Sequence, residues 1–430
     1  MTAPDSIAML ERGSWRSALR ESWRNPAVQI RNLDVLAVLT AASLPWSTSP
    51  PAIFMVLWFV ALVPTVDVRA LLRSLARPAS ALPIAFFLLA VIGMLWADSD
   101  WPARLHGVNP VAKMLVIPFL LYHFERSERG HWVLMAFLIS CALLMALSWI
   151  VAAVPFTPVS RLQVGVPFKN YIDQSQEFTL CLFALASPTL RFVRQRRFAL
   201  AAGCAVLMLA FFADMMFVVS ARTALVYMPV LLVLFAALHL KWRASLLLFA
   251  GAIVAAAIVW FTSPYLRQRV EAVAEEYQFY QQDSAVVRST GERLEYWHKS
   301  LKFIAMAPVF GNGTGATKIL FEQDAVGKTG LGAVVIGNPH NQTLNVAVQW
   351  GLLGCVILYA MWLCHLLLFR GANTAANIAA WAGLLVVVQN VVSSLLNSHL
   401  FDFHEGWMYV LGVGVAGGMM LGQRKRGDAS

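Results

Sequence analysis

Twelve apolar blocks divide this chain, at about 34–49, 51–66, 81–97, 108–124, 132–155, 174–190, 198–219, 222–240, 244–262, 342–368, 374–396 and 406–422. A run of roughly 20 apolar residues crosses a bilayer as a helix. Only helices and closed barrels satisfy their backbone polar groups there. The expected fold class is therefore all-α: a polytopic membrane protein of about 12 transmembrane helices. Composition agrees, because 59% of residues are hydrophobic and 13% charged, whereas soluble domains run near half and a quarter. A soluble globular enzyme, a disordered chain and a secreted disulfide scaffold are all excluded. The five cysteines sit inside apolar blocks without CxxC spacing and read as small buried hydrophobes.

The net charge of +10 would suggest nucleic acid in a soluble protein. Here it has a topological explanation. With the N-terminus in the cytoplasm, the inside segments hold twenty Lys and Arg residues, and the short outside segments hold four: Arg104, Arg161, Lys169 and Arg222. That asymmetry follows the positive-inside rule. It places both termini in the cytoplasm and removes the case for a nucleic-acid partner. No cleavable signal is evident, and residues 1–33 form a basic amphipathic lead with Arg12, Arg16, Arg20 and Arg24.

The expected organisation is spans one to nine over 34–262, an outer loop over 263–341, spans ten to twelve over 342–422 and a short tail over 423–430. The loop has 79 residues, eight of them basic and eight acidic. A connection that long carries structure and function of its own. Tyr265–Tyr280 reads as one helix. Glu292 to about Met306 reads as a second, with Leu294, Trp297, Leu301 and Ile304 at helical spacing and Pro308 as the stop. The glycines from 311 to 315 lack the Lys-Ser/Thr of a P-loop and read as a turn.

Polar groups at the mouths of spans are costly to place and therefore informative. The sharpest cluster is Asn338-Pro339-His340-Asn341-Gln342, at the outer start of span ten. Histidine takes a proton near neutral pH, so His340 suits a general base. The alternative is an interfacial histidine at a helix start. Arg222 offers a planar fork suited to phosphate oxygens, or else it anchors a helix end. Arg293 opens the second loop helix, as a ligand for an anion or as the partner of Glu292 or Glu295. Arg288, Arg267 and Arg269 are weaker loop cations. Lys169, Asn170, Tyr171 and Gln174 stand before span six and could line a polar mouth for a sugar. Lys113 is an intramembrane charge suited to a lipid phosphate or an acidic partner. His399, Asp402, His404 and Glu405 invite a metal reading, but their spacing matches no strong signature, and no metal or cofactor is expected.

Together these residues resemble the O-antigen ligase and polymerase superfamily. The resemblance rests on Arg222-Thr223, on Arg293, Leu294 and Trp297, and on Pro308, Gly311 and Gly313. It continues through Pro339-His340-Asn341 and Gly351-Leu352-Leu353-Gly354. By motif it covers about residues 165–365. It implies a GT-C-like fold in the bacterial inner membrane, with the long loop and the active site in the periplasm. It further implies a glycosyltransferase that takes glycan from undecaprenyl pyrophosphate. In a ligase the acceptor is the lipid A–core oligosaccharide of lipopolysaccharide. Carried across, His340 matches the catalytic histidine, and Arg222 and Arg293 match arginines that hold pyrophosphate. Asn341, Lys169, Asn170, Tyr171, Gln174, Arg288 and Lys113 would contact substrate. The chemistry is expected to be metal-independent and inverting. A polymerase or a protein O-oligosaccharyltransferase are the alternatives within the superfamily. A transporter is the alternative outside it, although the chain shows no related halves and almost no midplane acids for ion coupling.

Overall fold

The structure is a computed structural model that describes residues 25–154, 165–219, 221–281, 289–371 and 377–427. The lead residues Arg12, Arg16, Arg20 and Arg24, together with Arg161, Ser220 and Arg288, lie outside the described residues. Among the described residues there are helices and no strand. In chain order the helices are α1 (Pro26–Ser43), α2 (Ser49–Leu62), α3 (Val68–Leu75), α4 (Pro78–Ile92), α5 (Trp101–Ala112) and α6 (Val116–Phe124). They continue as α7 (Gly130–Ala153), α8 (Tyr171–Arg194), α9 (Phe198–Phe217), α10 (Ala224–His239) and α11 (Trp242–Thr262). The remainder are α12 (Pro264–Gln281), α13 (Ser289–Met306), α14 (Ala316–Ala325), α15 (Gln342–Phe369), α16 (Ile378–Ser393) and α17 (Phe403–Gly427).

Over the described residues each of the twelve apolar blocks falls mainly on a helix or on consecutive helical pieces. Among the described residues six helical segments are long and apolar enough to cross a membrane: Pro78–Leu95, Trp101–Phe124, Gly130–Ala153, Phe198–Phe217, Trp242–Thr262 and Gln342–Phe369. The segments Ser49–Thr65, Ala224–His239 and Ile378–Ser393 are shorter apolar helices. The chain is thus a helical membrane protein. Helix α8 owes its lower apolarity to its N-terminal half, where Asp173, Gln174, Ser175, Gln176, Glu177 and Thr179 are all buried. They face α9, α10 and α16 and build a polar interior beneath the loop.

Among its described residues the loop carries three α-helices, α14 being added to the expected pair. It is fastened to the bundle by its glycine turn. Helix α15 is broken at Gly351, where φ is +59° and ψ is −153°. Unpaired backbone groups inside a membrane protein need local partners, and here the loop supplies them. The Leu352 and Leu353 amides donate to the Pro308 and Val309 carbonyls at 2.8 and 3.1 Å. The Asn312 and Gly313 amides donate to the Val348 and Gln349 carbonyls, both at 2.9 Å. A Cβ on Gly311 would lie 2.4 Å from the Gln349 carbonyl carbon, so only glycine permits the approach.

The apolar face of α13 is rotated from the expected stripe. Tyr296 and Phe303 are buried against Leu320, Phe321 and Val348, with Trp297 and Ile304 at the flank, while Leu301 is 60% exposed. The cause is α14, invisible as a partner in the periodicity of α13 alone. Asp324 of α14 also accepts from Lys302 at 2.5 Å and from Lys328 at 2.7 Å. Those two ammonium groups hold its carboxyl down at about 2. Just before α4, Arg77 pairs bidentately with Glu125 at 2.6 and 3.0 Å.

Candidate active site at the mouth of the bundle

His340 lies in the link between the loop and α15, and its φ is +53°. A non-glycine residue holds that conformation at a cost of about 1–3 kcal/mol, so its neighbours must enforce it. The Asn338 side-chain oxygen accepts the His340 amide at 2.9 Å. The Trp297 indole donates to the Pro339 carbonyl at 3.1 Å. Asn341 caps α15 by accepting the Leu344 amide at 3.0 Å, and it donates to the Leu395 carbonyl at 2.8 Å. The Ser398 hydroxyl donates to Asn338 at 2.7 Å. The link between α16 and α17 therefore holds the segment that carries His340.

That link also fixes the imidazole. His340 Nδ1 lies 2.7 Å from Asn397 Oδ1. The Asn397 amide nitrogen donates to Asp402 at 3.3 Å. Burial raises the Asp402 carboxyl to about 6, so at neutral pH it is mainly a carboxylate, which only accepts. The Asn397 amide is oriented accordingly, and its oxygen faces the ring. His340 then carries its proton on Nδ1, which leaves Nε2 as the acceptor nitrogen of the neutral ring. Burial holds the His340 pKa below the usual value, the Asn397 bond opposes that, and the Arg293 charge adds to the depression.

Arg222, two residues before α10, gives both terminal nitrogens to Glu276 of α12, at 2.8 and 2.9 Å. Arg293 sits in the second turn of α13, not at its start. Among the described residues it has no carboxylate within ion-pair distance. Burial lowers its pKa; Tyr171, Glu276 and Glu292 support its charge, and Arg222 opposes it. Tyr296, one turn along α13 from Arg293, places its ring 6.2 Å from the His340 ring, and α12, which carries the Arg222 partner Glu276, packs on α13. The fold thus draws these three residues, 71 and 47 positions apart in the chain, toward one mouth. Arg269 joins them, its guanidinium 4.7 Å from the centroid of the Tyr171 ring.

The other expected substrate contacts are engaged within the protein. Lys113 donates to the Phe401 carbonyl at 2.9 Å and also to the Asp402 carbonyl. Lys169 binds the Leu44 carbonyl and Glu177. Asn170 caps α8 through the Ile172 and Asp173 amides. Gln174 donates to Ser148 and to the Gly165 carbonyl. These four, like Asn341, shape the mouth rather than present free groups to it. Tyr171 stands at the arginine cluster. In the 399–405 link, His404 pairs with Asp173 at 2.8 Å and His399 bonds Gln176 at 2.9 Å. Among the described residues no three such groups are arranged to hold a metal.

Asn397 and Glu276 do not stand out in the sequence, and Arg269 reads there as a weak loop cation. Asn397 follows His340 by 57 positions and has no local motif. Glu276 looks like any acid on an amphipathic helix.

The fold and the mouth define a class: a polytopic helical membrane protein whose long helical loop brings a poised histidine and several arginines over one end of the bundle. Residues 205–359 match the family model described as O-antigen ligase, a span of about a third of the chain that contains Arg222, Arg293 and His340. The match supports membership of the O-antigen ligase/polymerase superfamily, whose members are glycosyltransferase-like ligases and polymerases. No curated protein matches it.

Proposed function

We propose that this enzyme is an O-antigen ligase of the bacterial inner membrane, active on the periplasmic face. It moves glycan from undecaprenyl pyrophosphate to the lipid A–core oligosaccharide. The observation that carries this reading is the meeting of an Nε2 base at His340 with the guanidinium groups of Arg293 and Arg222.

In the proposed reaction an acceptor hydroxyl attacks the anomeric carbon of the donor glycan. His340 Nε2 takes the hydroxyl proton, a role worth about 10²–10⁴-fold in rate. The anomeric carbon–oxygen bond to the pyrophosphate breaks, and a new glycosidic bond forms with inversion. The leaving pyrophosphate gains one negative charge. Fixed cations at the site of developing charge stabilise the transition state, and Arg293 supplies one without a carboxylate partner among the described residues. Arg222 adds a second as Glu276 yields to the donor. No metal is required by this scheme.

The test is reconstitution of pure protein with undecaprenyl-pyrophosphate-linked glycan, with and without lipid A–core, in EDTA. A product that needs both substrates and vanishes in His340→Ala supports the ligase. Longer lipid-linked chains formed without acceptor mark a polymerase instead. Product that requires added divalent metal refutes the metal-independent scheme.

A further inference from the structure

A cavity of about 760 Å³ opens at the loop end of the bundle, between the first turns of α5, the start of α14 and the 397–402 link. It lies within the size range of small-molecule sites, roughly 300–1,000 Å³. It is not the arginine mouth, since Arg222, Arg293 and Tyr171 do not line it. Its walls carry Asp100, His106, Thr317, Lys318, Asn338 and Asp402.

Three observations say what it takes. First, the Thr317 hydroxyl oxygen is buried without a hydrogen-bond partner, and the residue is 3% exposed. Buried polar atoms are rarely left unsatisfied, and a ligand hydroxyl in the cavity supplies the missing partner. Second, the charge is mixed. Asp100 and Asp402 stand against Lys318, whose ammonium lies 3.5 Å from Glu322. With Lys113 bound to the Phe401 and Asp402 carbonyls behind it, such a wall is close to neutral; it suits an uncharged or amine-bearing sugar and is a poorer match for pyrophosphate than the arginine cluster. Third, α5 carries Trp101 and Leu105 on an adjacent face, exposed by 62% and 60%. Aromatic and aliphatic groups of that kind favour the bilayer interface, so the cavity opens where a lipid-anchored headgroup would lie.

The cavity also leads to the base. Asn338 lines it and holds the His340 amide. Asp402 lines it and orients Asn397, which holds the His340 ring. We propose that this cavity is the subsite for an uncharged or amine-bearing sugar of the lipid-anchored acceptor, a role that rests on the glycan-transfer reading above. Donor and acceptor then approach His340 from walls of different charge, and the acceptor is chosen by α5, α14 and the 397–402 link.

The test uses the full-length protein in nanodiscs and two probes. Deacylated lipid A–core oligosaccharide reports binding by saturation-transfer NMR, and intact lipid A–core with lipid-linked donor reports turnover. Thr317→Val removes only the hydroxyl, and His106→Trp fills the cavity from an exposed position. Both variants are expected to bind oligosaccharide at least about tenfold more weakly. The acceptor KM should rise by a similar factor, with donor KM and saturated kcat unchanged, and His340→Ala should bind oligosaccharide as the wild type does. Wild-type affinity and acceptor KM in both variants would overturn the subsite and leave the transfer reading intact. A matched rise in donor KM, or no oligosaccharide binding by the wild type, would overturn it as well. Cavity-dependent binding without any transfer by the wild type would uphold the sugar site and sink the ligase.

Discussion

Replacing Asn397 by leucine removes the one side chain that sets the tautomer of His340 while keeping nearly the same volume. The bond it breaks, Nδ1 to Oδ1 at 2.7 Å, contributes about 0.5–1.5 kcal/mol, and a half-buried donor left without a partner costs about 1–3 kcal/mol. The lost preference for the Nδ1–H tautomer is then worth about tenfold in population, at 1.4 kcal/mol per decade. Turnover should fall at least about tenfold. The ceiling is the roughly 10²–10⁴-fold loss expected when a general base is removed outright. The pH profile carries the sharper signature. The base works in its neutral form, so rates fall on the acid side as His340 protonates. The wild-type acid limb should lie below 6.5, because burial depresses this pKa from that value. The Asn397 bond favours the protonated ring, so Asn397→Leu should move the limb to still lower pH. Arg293→Gln removes a repelling charge and should move it up, toward the ordinary histidine value. The assay is initial transfer rate with purified substrates from about pH 5 to about pH 8. Unchanged turnover and an unchanged acid limb in Asn397→Leu would refute the tautomer argument. A wild-type profile in Arg293→Gln would refute the electrostatic contact between the two residues.

Arg222→Lys and Arg293→Lys should each lose most activity, because an ammonium does not reproduce the planar fork; near-normal kcat/KM for the donor in both would remove the pyrophosphate role. Glu276→Gln abolishes the bidentate charge pair on Arg222 and should lower the donor KM at least about threefold, whereas a raised donor KM would mean that Glu276 orients Arg222 for the substrate. Gly351→Ala forces a Cβ to within 2.5 Å of the Val309 carbonyl at a φ of +59° and should destabilise the protein by about 3 kcal/mol or more. Gly203→Ala, with open space around its Cβ, should melt no lower than the wild type, and equal melting temperatures for both alanine variants would refute the account of the helix break.

Hydropathy decided the helical membrane class before any contact was known, because the length of an apolar run is a local property and the bilayer reads it locally. His340, Arg222 and Arg293 also stand out in the sequence as candidates, since a charge or a histidine at the edge of an apolar run differs from its neighbours. Their convergence was not legible. It depends on backbone bonds from the 308–313 turn to the break in α15, and on α14 rotating the buried face of α13. Nor did the chain order show which polar residues at the mouth are free. Lys169, Asn170 and Gln174 looked equivalent to Tyr171 in one dimension. In the fold their polar groups meet a carbonyl, a helix end and a serine, while Tyr171 faces the arginines. Asn397 is the clearest case: its role comes from an amide oxygen placed 2.7 Å from a ring 57 positions earlier. Composition and period along the chain determine which segments leave water, but only their packing determines which polar atoms then find one another.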